Sequence, residues 1–109
     1  MEIPEDMEKW LGEHGGLERM IRMLPDDNVL KEKSRVYGAL SDPIRLKILH
    51  LLSLHPLCVC LIKGAIGISD SKLSYHLSVL KQIGLIDGKR RKNWIIYSIT
   101  DKGLECIKK

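Results

Sequence analysis

A change of periodicity at Leu85 limits the fold more than any other feature of this 109-residue chain. Before it, apolar residues recur at helical spacing through three successive segments, which begin near residues 43, 57 and 69. After it, two short β-prone runs, residues 85–87 and 94–99, flank the polar tip GKRRKN. This order predicts a mainly α-helical domain that ends in a small β-hairpin with a basic loop.

Capping residues mark the boundaries of these helices. Asp42 is the predicted N-cap of the first, with Pro43 at its first position, where a missing N–H costs nothing. Ser69 is the predicted N-cap of the third, which ends at Gly84. Asp101 is expected to cap a last helix, KGLECIKK. Apolar residues nearly encircle the first helix, which predicts that it lies at the centre of the core: Ile44, Ile48, Leu49, Leu51 and Leu52.

Residues 1–30 are predicted to form a helical extension to a domain of residues 31–109. Leu17, Met20, Ile21 and Leu24 follow helical spacing, and PDDN then ends that helix and begins the next. So short a helix needs a packing partner, which we expect to be the domain or a second subunit. The extension carries eight acidic side chains against three basic ones, whereas the rest of the chain is basic. A basic body favours a polyanionic partner.

Composition narrows the class of protein. Apolar and charged contents of 44% and 29% are ordinary for a globular chain, and three cysteines make no disulfide framework. The acidic start MEIPEDMEKW lacks a signal-peptide core, and no apolar run approaches the length of a membrane span. We therefore expect a cytoplasmic protein that does not contact the membrane. The histidines and cysteines have no plausible orienting acid, so we expect no enzymatic activity.

Two helices of the helix-turn-helix kind followed by a basic hairpin predict a winged helix-turn-helix that binds double-stranded DNA. The second helix of this pair is the one that begins after Ser69. One of its sides carries Leu73, Leu77, Leu80 and Ile83, so the opposite side is expected to be exposed. That face is small, uncharged and rich in hydroxyls, as suits contact with base edges and phosphates. We expect Lys72 on its flank to reach a phosphate, and the hairpin tip to supply salt-sensitive affinity. The predicted DNA contacts are Ser71, Lys72, Ser74, Tyr75, Ser78, Gln82, Lys89, Arg90, Arg91 and Lys92.

Three aromatic residues near these contacts have a different expected role. His76 falls on the flank of the second helix, where we expect it to be half-buried and to pack or orient. Trp94 and Tyr97 lie three apart in a strand and hence on opposite faces. One is expected to pack the hairpin onto the domain while the other is more exposed.

Four segments in sequence order resemble the ArsR (arsenical-resistance repressor) family of winged-helix transcription regulators. They are ALSDPIRLKILHLL, LCVC, SDSKLSYHLSVLKQIGLI and KNWIIYSIT. The resemblance implies a homodimeric repressor whose paired recognition helices bind a pseudo-palindromic operator. It also implies an inducer, often a metal or metalloid ion, that lowers DNA affinity, and a dimer interface built from the terminal helices.

The resemblance implies that Cys58 and Cys60 bind the inducer ion. Arsenic-sensing members carry Cys-Val-Cys, then an acidic residue and a third cysteine, but here these positions hold Leu61 or Ile62, and Lys63. Trivalent arsenic or antimony takes three soft thiolates, so Cys106 from this or the partner subunit is the candidate third ligand. Lys63 is expected to favour thiolates. Residues i and i+2 of a regular helix are about 200° apart, so both sulfurs bind one ion only if the helix start is distorted.

Other roles for the cysteines remain open. His50 and His55 with Cys58 and Cys60 would form a mixed nitrogen–sulfur zinc site. A disulfide between Cys58 and Cys60, or between subunits, would sense oxidant, and both thiols equally suit simple core packing. A thiol redox enzyme is disfavoured because Cys-x-x-Cys is lacking, and a winged-helix protein-interaction module is a further alternative. Other members of the family bind metals through Asp and His on a longer C-terminal helix. Such a site is disfavoured here, since DKGLECIKK has neither that length nor a histidine.

Overall fold

The computed structural model describes residues 2–108 and divides the chain into two compact units, with the boundary between Lys33 and Ser34. The helices are α1 (Glu5–Glu13), α2 (Gly16–Met23), α3 (Asp27–Leu40), α4 (Pro43–Leu54), α5 (Val59–Ile66), α6 (Asp70–Gln82) and α7 (Asp101–Ile107). The strands are β1 (Leu57–Cys58), β2 (Ile86–Arg91) and β3 (Trp94–Ile99). The mainly helical fold with a small hairpin is thus confirmed.

The first unit contains α1 and α2, which contact each other across a turn at Gly15 and Gly16. Both glycines adopt positive φ values, +90° and +77°, a conformation that other residues rarely tolerate. The predicted apolar stripe of α2 is present and lies exposed to solvent. No residue of α1 or α2 is buried.

The second unit is built around α4, as predicted. Ile48, Leu49 and Leu52 are completely or almost completely buried, and Ile44 and Leu51 pack at the edge of the same core. Facing side chains from α5, α6, β2 and the residue just before β2 complete this core: Ile62, Leu73, Leu77, Leu80, Leu85 and Ile86. The α5–α6 pair is the helix-turn-helix, and Gly67 in a left-handed conformation ends α5.

The second unit also contains a three-stranded antiparallel sheet of order β1-β3-β2, in which β1 lies between α4 and α5 in the chain. β2, β3 and the turn between them form the wing. The prediction that residues 88–93 are all loop is wrong, because β2 continues to Arg91, which pairs with Trp94. Only Lys92 and Asn93 turn the chain, and Lys92 has a positive φ of 57°. Cross-strand pairing with the apolar strand β3 therefore outweighs the low β-propensity of the basic run.

The C-terminal helix has a different cap from the predicted one. Thr100, not Asp101, is the N-cap of α7, and its hydroxyl accepts a hydrogen bond from the N–H of Gly103 at 3.1 Å. The same hydroxyl donates to the Gly84 carbonyl at 2.6 Å, which ties α7 to the end of α6. Gly103 is buried because its backbone lies directly against the carbonyl of Leu85. No helix within residues 2–108 has the length and apolar character needed to cross a lipid bilayer.

Candidate nucleic-acid interface and cysteine site

Helix α6 presents an exposed polar face on a buried apolar one. Its N-cap is Ser69, whose hydroxyl accepts from the N–H of Lys72 at 3.3 Å. Every side chain predicted to face DNA is exposed, and Tyr75 is the most prominent hydrophobic among them at 61% exposure. They are Ser71, Lys72, Ser74, Tyr75, Ser78 and Gln82. This arrangement leaves a surface of hydroxyls and one aromatic ring able to enter a groove of DNA.

His76 holds α6 against two other helices. The ring is only 8% exposed, and its Nδ1 lies 3.1 Å from Nη1 of Arg45 on α4. Because a guanidinium only donates, Nδ1 accepts this bond and the neutral ring carries its proton on Nε2. Arg45 also donates from Nε to the Ala39 carbonyl at 2.6 Å and from Nη2 to the Gly38 carbonyl at 3.5 Å. His76 is therefore an orienting residue, more deeply buried than its flank position predicts.

Asp42 caps the start of α4, the helix that carries Arg45. Its carboxylate accepts from the N–H groups of Ile44 at 2.7 Å and Arg45 at 3.3 Å, as an N-cap does. Burial raises the pKa of Asp42, but these two N–H groups and the Arg45 guanidinium outweigh burial and hold that pKa below its ordinary value. The ionised carboxylate thus fixes the helix that carries Arg45. Sequence patterns gave no sign of the Arg45–His76 contact, since 31 residues separate the two.

The wing carries four consecutive cationic residues, the basic cluster Lys89, Arg90, Arg91 and Lys92, and all four are exposed. Arg90 donates from Nε to the Lys92 carbonyl at 3.4 Å, across the turn. Because side chains alternate along a strand, Arg90 and Arg91 point to opposite faces of β2. Trp94 is 50% exposed at the turn, whereas Tyr97 packs against the core, as the alternation predicted.

The cysteine pair, Cys58 and Cys60, lies where β1 becomes α5. Cys58 is extended (φ −73°, ψ 158°) and is the N-cap of α5, so it stands outside the helix that begins at Val59. The two Sγ atoms are 2.9 Å apart. The distortion that a shared ligand requires is thus supplied by the strand-to-helix junction itself. Cys58 is half-buried, Cys60 is exposed, and neither forms a disulfide.

The two thiols differ in acidity. The hydrogen bond from Cys60, followed by the N–H of Leu61, lowers the pKa of Cys58. The same bond to Cys58, followed by burial, raises the pKa of Cys60. Cys58 is therefore the first thiolate and Cys60 its donor. The Nζ of Lys63 forms an ion pair with Asp70 at 2.7 Å, and Lys63 is not among the groups that shift the pKa of either thiol.

Two clefts border the cysteine pair, and Trp94 lines both. The cleft beside Cys58 has a volume of about 400 Å³ and is mostly apolar. Its lining is His55, Pro56, Leu57, Cys58, Leu61, Arg91, Trp94 and Ile96. The cleft beside Cys60 is lined by Val59, Cys60, Lys63, Asp70, Asn93, Trp94 and Ile95. The pair thus lies against the turn of the wing and the start of α6.

His55 lines the cleft beside Cys58, but the predicted ligands do not form a three-ligand site with the cysteine pair. Within residues 2–108, no three His, Cys, Asp or Glu side chains are placed to hold one metal ion. Cys106 lies on α7, half-buried against the core. His50 and His55 do not join the pair in a four-ligand zinc site. One subunit therefore offers two sulfurs.

Comparison with known proteins identifies the family. The model of the arsR family of bacterial regulatory proteins matches residues 42–87. A cadmium resistance transcriptional regulatory protein CadC homolog of Staphylococcus aureus is 37% identical over 75 residues, which cover 68% of this chain and 62% of that protein. The chain thus spans less than two thirds of that relative. An arsenical resistance operon repressor of Staphylococcus xylosus is 35% identical over 77 residues, 71% of this chain and 74% of that protein.

A solved structure supports the same assignment. It is the solution structure of a homodimeric winged helix-turn-helix DNA-binding domain from Mycobacterium bovis, a possible ArsR-family transcriptional regulator. It superposes with a TM-score of 0.67 at 29% identity and covers 77% of this chain and 81% of that one. This chain therefore belongs to the arsR family of bacterial regulatory proteins and has the winged helix-turn-helix fold.

Proposed function

We propose that this chain is a homodimeric transcriptional repressor, and that a thiophilic metalloid ion at Cys58 and Cys60 lowers its affinity for operator DNA. The observation that carries the proposal is the exposed hydroxyl face of α6, together with the exposed basic cluster of the wing. As a DNA-binding regulator it acts in the cytoplasm and catalyses no reaction.

The basic cluster of the wing and the polar face of α6 contribute to DNA binding in different ways. The basic cluster neutralises phosphates and releases their counterions, which supplies affinity without sequence choice. Ser74, Tyr75, Ser78 and Gln82 on α6 read base edges, because hydroxyl and amide groups both donate and accept hydrogen bonds. Lys72 and Ser71, near the N-terminus of α6, contact the sugar-phosphate backbone of the DNA. The pair Arg45–His76 keeps this face aimed outward.

Dimerisation places two such surfaces on one operator. The extension of residues 1–30 exposes Trp10, Leu17, Met20, Ile21 and Leu24, an apolar surface of the kind that protein partners cover. We propose that it contributes to the interface between subunits. The homodimeric state of the Mycobacterium bovis domain supports this.

The cysteine pair is the proposed inducer site. Two sulfurs 2.9 Å apart suit a soft trivalent ion such as As(III) or Sb(III), and they supply two of its three coordination positions. Zinc fits less well, since it requires four ligands and no further His, Cys, Asp or Glu joins the pair within residues 2–108. The names of the two staphylococcal relatives mention cadmium and arsenical resistance. An ion bound there would lie at the start of α5, which the Lys63–Asp70 ion pair links to the start of α6.

Oxidant sensing is the second candidate function, favoured by the same short Sγ–Sγ distance. A hydroperoxide would take two electrons and two protons from Cys58 and Cys60, forming a disulfide, water and an alcohol. Operator release by peroxide in the absence of metalloid would favour this role.

DNA binding is tested by anisotropy titration of the promoter upstream of the chain's own gene. Ser78→Glu places a negative charge on the exposed face of α6, and we expect at least a hundredfold loss of affinity from phosphate repulsion. Ser53→Glu adds the same charge on α4 and is the matched control. Equal affinities of the two variants would refute α6 as the reading helix.

A further inference from the structure

We infer that the cysteine pair takes a trivalent arsenical bearing one organic substituent in preference to inorganic arsenite. The inference rests on the proposed role of the pair as the inducer site and names the class of inducer. Its first ground is the number of ligands. Trivalent arsenic has three pyramidal positions, and the pair fills two. An arsenical with one arsenic–carbon bond has its third position filled before it reaches the protein.

The second ground is the cleft beside Cys58. Leu57, Leu61, Trp94 and Ile96 give it apolar walls, and its volume is about 400 Å³. A cavity of roughly 150 Å³ lined by apolar side chains is large enough for benzene, so a methyl or phenyl group fits beside the sulfur. Leu61 and Trp94 are substantially exposed and gain a partner when the substituent binds. Burying roughly 60 Å² of substituent surface gives about a tenfold gain in affinity.

The reaction at the pair balances without a change of oxidation state. An arsonous acid, R–As(OH)₂, condenses with the two thiols. Two As–S bonds form and two As–O bonds break, and each hydroxide leaves as water with one thiol proton. The product is neutral, so no charge is buried against the apolar walls. Arsenite at the same two sulfurs keeps a hydroxyl that gains nothing from these walls.

The bound substituent would contact the wing directly. Trp94 pairs with Arg91 at the end of the hairpin, and both line the cleft. Cys58 also pairs with Ile96 through β1 and β3. An organic group in the cleft would therefore contact the wing, which carries the basic cluster.

Binding is measured without DNA, with phenylarsonous acid and arsenite as probes. Each is titrated against the reduced full-length protein in competition with a free dithiol, so that intrinsic dithiol chemistry cancels. Intact-mass spectrometry gives the stoichiometry. We expect one adduct per chain, formed with loss of two waters, and a preference for phenylarsonous acid about tenfold beyond that of the free dithiol. Cys58→Ser and Cys60→Ser should abolish the adduct, whereas Cys106→Ser should keep it.

Leu61→Ala tests the cleft, with Leu54→Ala on α4 as a matched exposed control. The excess preference should disappear in the first variant and persist in the second. Equal preference in protein and free dithiol, tighter binding of arsenite, or an adduct that requires Cys106 would each overturn the inference. Because no DNA is present, a protein that binds phenylarsonous acid but no operator would refute the proposed function and leave this inference standing.

Discussion

Replacing Arg90 by Gln tests whether the wing contacts phosphate. The side chain is exposed at the end of β2, and its hydrogen bond to the Lys92 carbonyl is long at 3.4 Å. The substitution should therefore change the free energy of unfolding by less than about 0.5 kcal/mol. Arg91 is a poorer choice because it also lines the cleft beside Cys58.

The magnitude follows from counterion release. Each phosphate contact contributes about 0.9 to the slope of log K against log salt concentration. A dimer presents two copies of Arg90, so the slope should fall by about 1.8. Over a fourfold rise in salt, from about 50 to about 200 mM, wild-type affinity should drop about 12-fold more than that of the variant.

The assay is anisotropy on promoter DNA across a salt series, with Lys47→Gln on α4 as the control. Lys47 is exposed and equally cationic, but it lies outside the basic cluster. We expect its slope to match the wild type. An unchanged slope in Arg90→Gln, or an equal fall in both variants, would refute the assignment of the wing to phosphate contact.

Three further substitutions test the core and the thiols. Leu73→Ala empties a fully buried position on α6 and should lower the free energy of unfolding by about 2–5 kcal/mol, measured in urea. Gly103→Ala sets a methyl group against the carbonyl of Leu85 and should cost about 1–3 kcal/mol in the same assay. In Cys60→Ala, Cys58 loses the hydrogen bond that most lowers its pKa. Thiolate then forms only at higher pH, so the midpoint of its alkylation by iodoacetamide should move upward.

Each of these three predictions has a result that would contradict it. Wild-type stability in Leu73→Ala would mean that α6 does not pack as described, and a neutral Gly103→Ala would place α7 farther from Leu85. An alkylation midpoint that stays in place without Cys60 would show that the two thiols do not share a proton. Cys106→Ala is the control for that experiment, since it leaves the pair intact.

Local signals explain which parts of the fold the sequence predicted. Asp42 and Ser69 were identified as caps because a cap acts within three residues of its own position. The two faces of α6 followed from helical spacing, since Leu73 and Leu77 must point away from Ser74 and Ser78. These features need no knowledge of distant parts of the chain.

Non-local contacts explain what the sequence did not predict. β1 has only two residues, too few for an alternating pattern, and it exists because Leu57 and Cys58 pair with Tyr97 and Ile96. That strand pulls Cys58 out of α5 and brings the two sulfurs together, which regular helical geometry forbids. The Arg45–His76 contact likewise forms only after folding.

Operator affinity measured with and without phenylarsonous acid, in wild type and in Cys58→Ser/Cys60→Ser, tests the central proposal most directly. We expect the wild type to bind its own promoter and to lose at least tenfold in affinity when the arsenical is added. The double variant should bind equally tightly under both conditions. No promoter binding by the wild type, or the same loss of affinity in the double variant, would contradict a repressor controlled through Cys58 and Cys60.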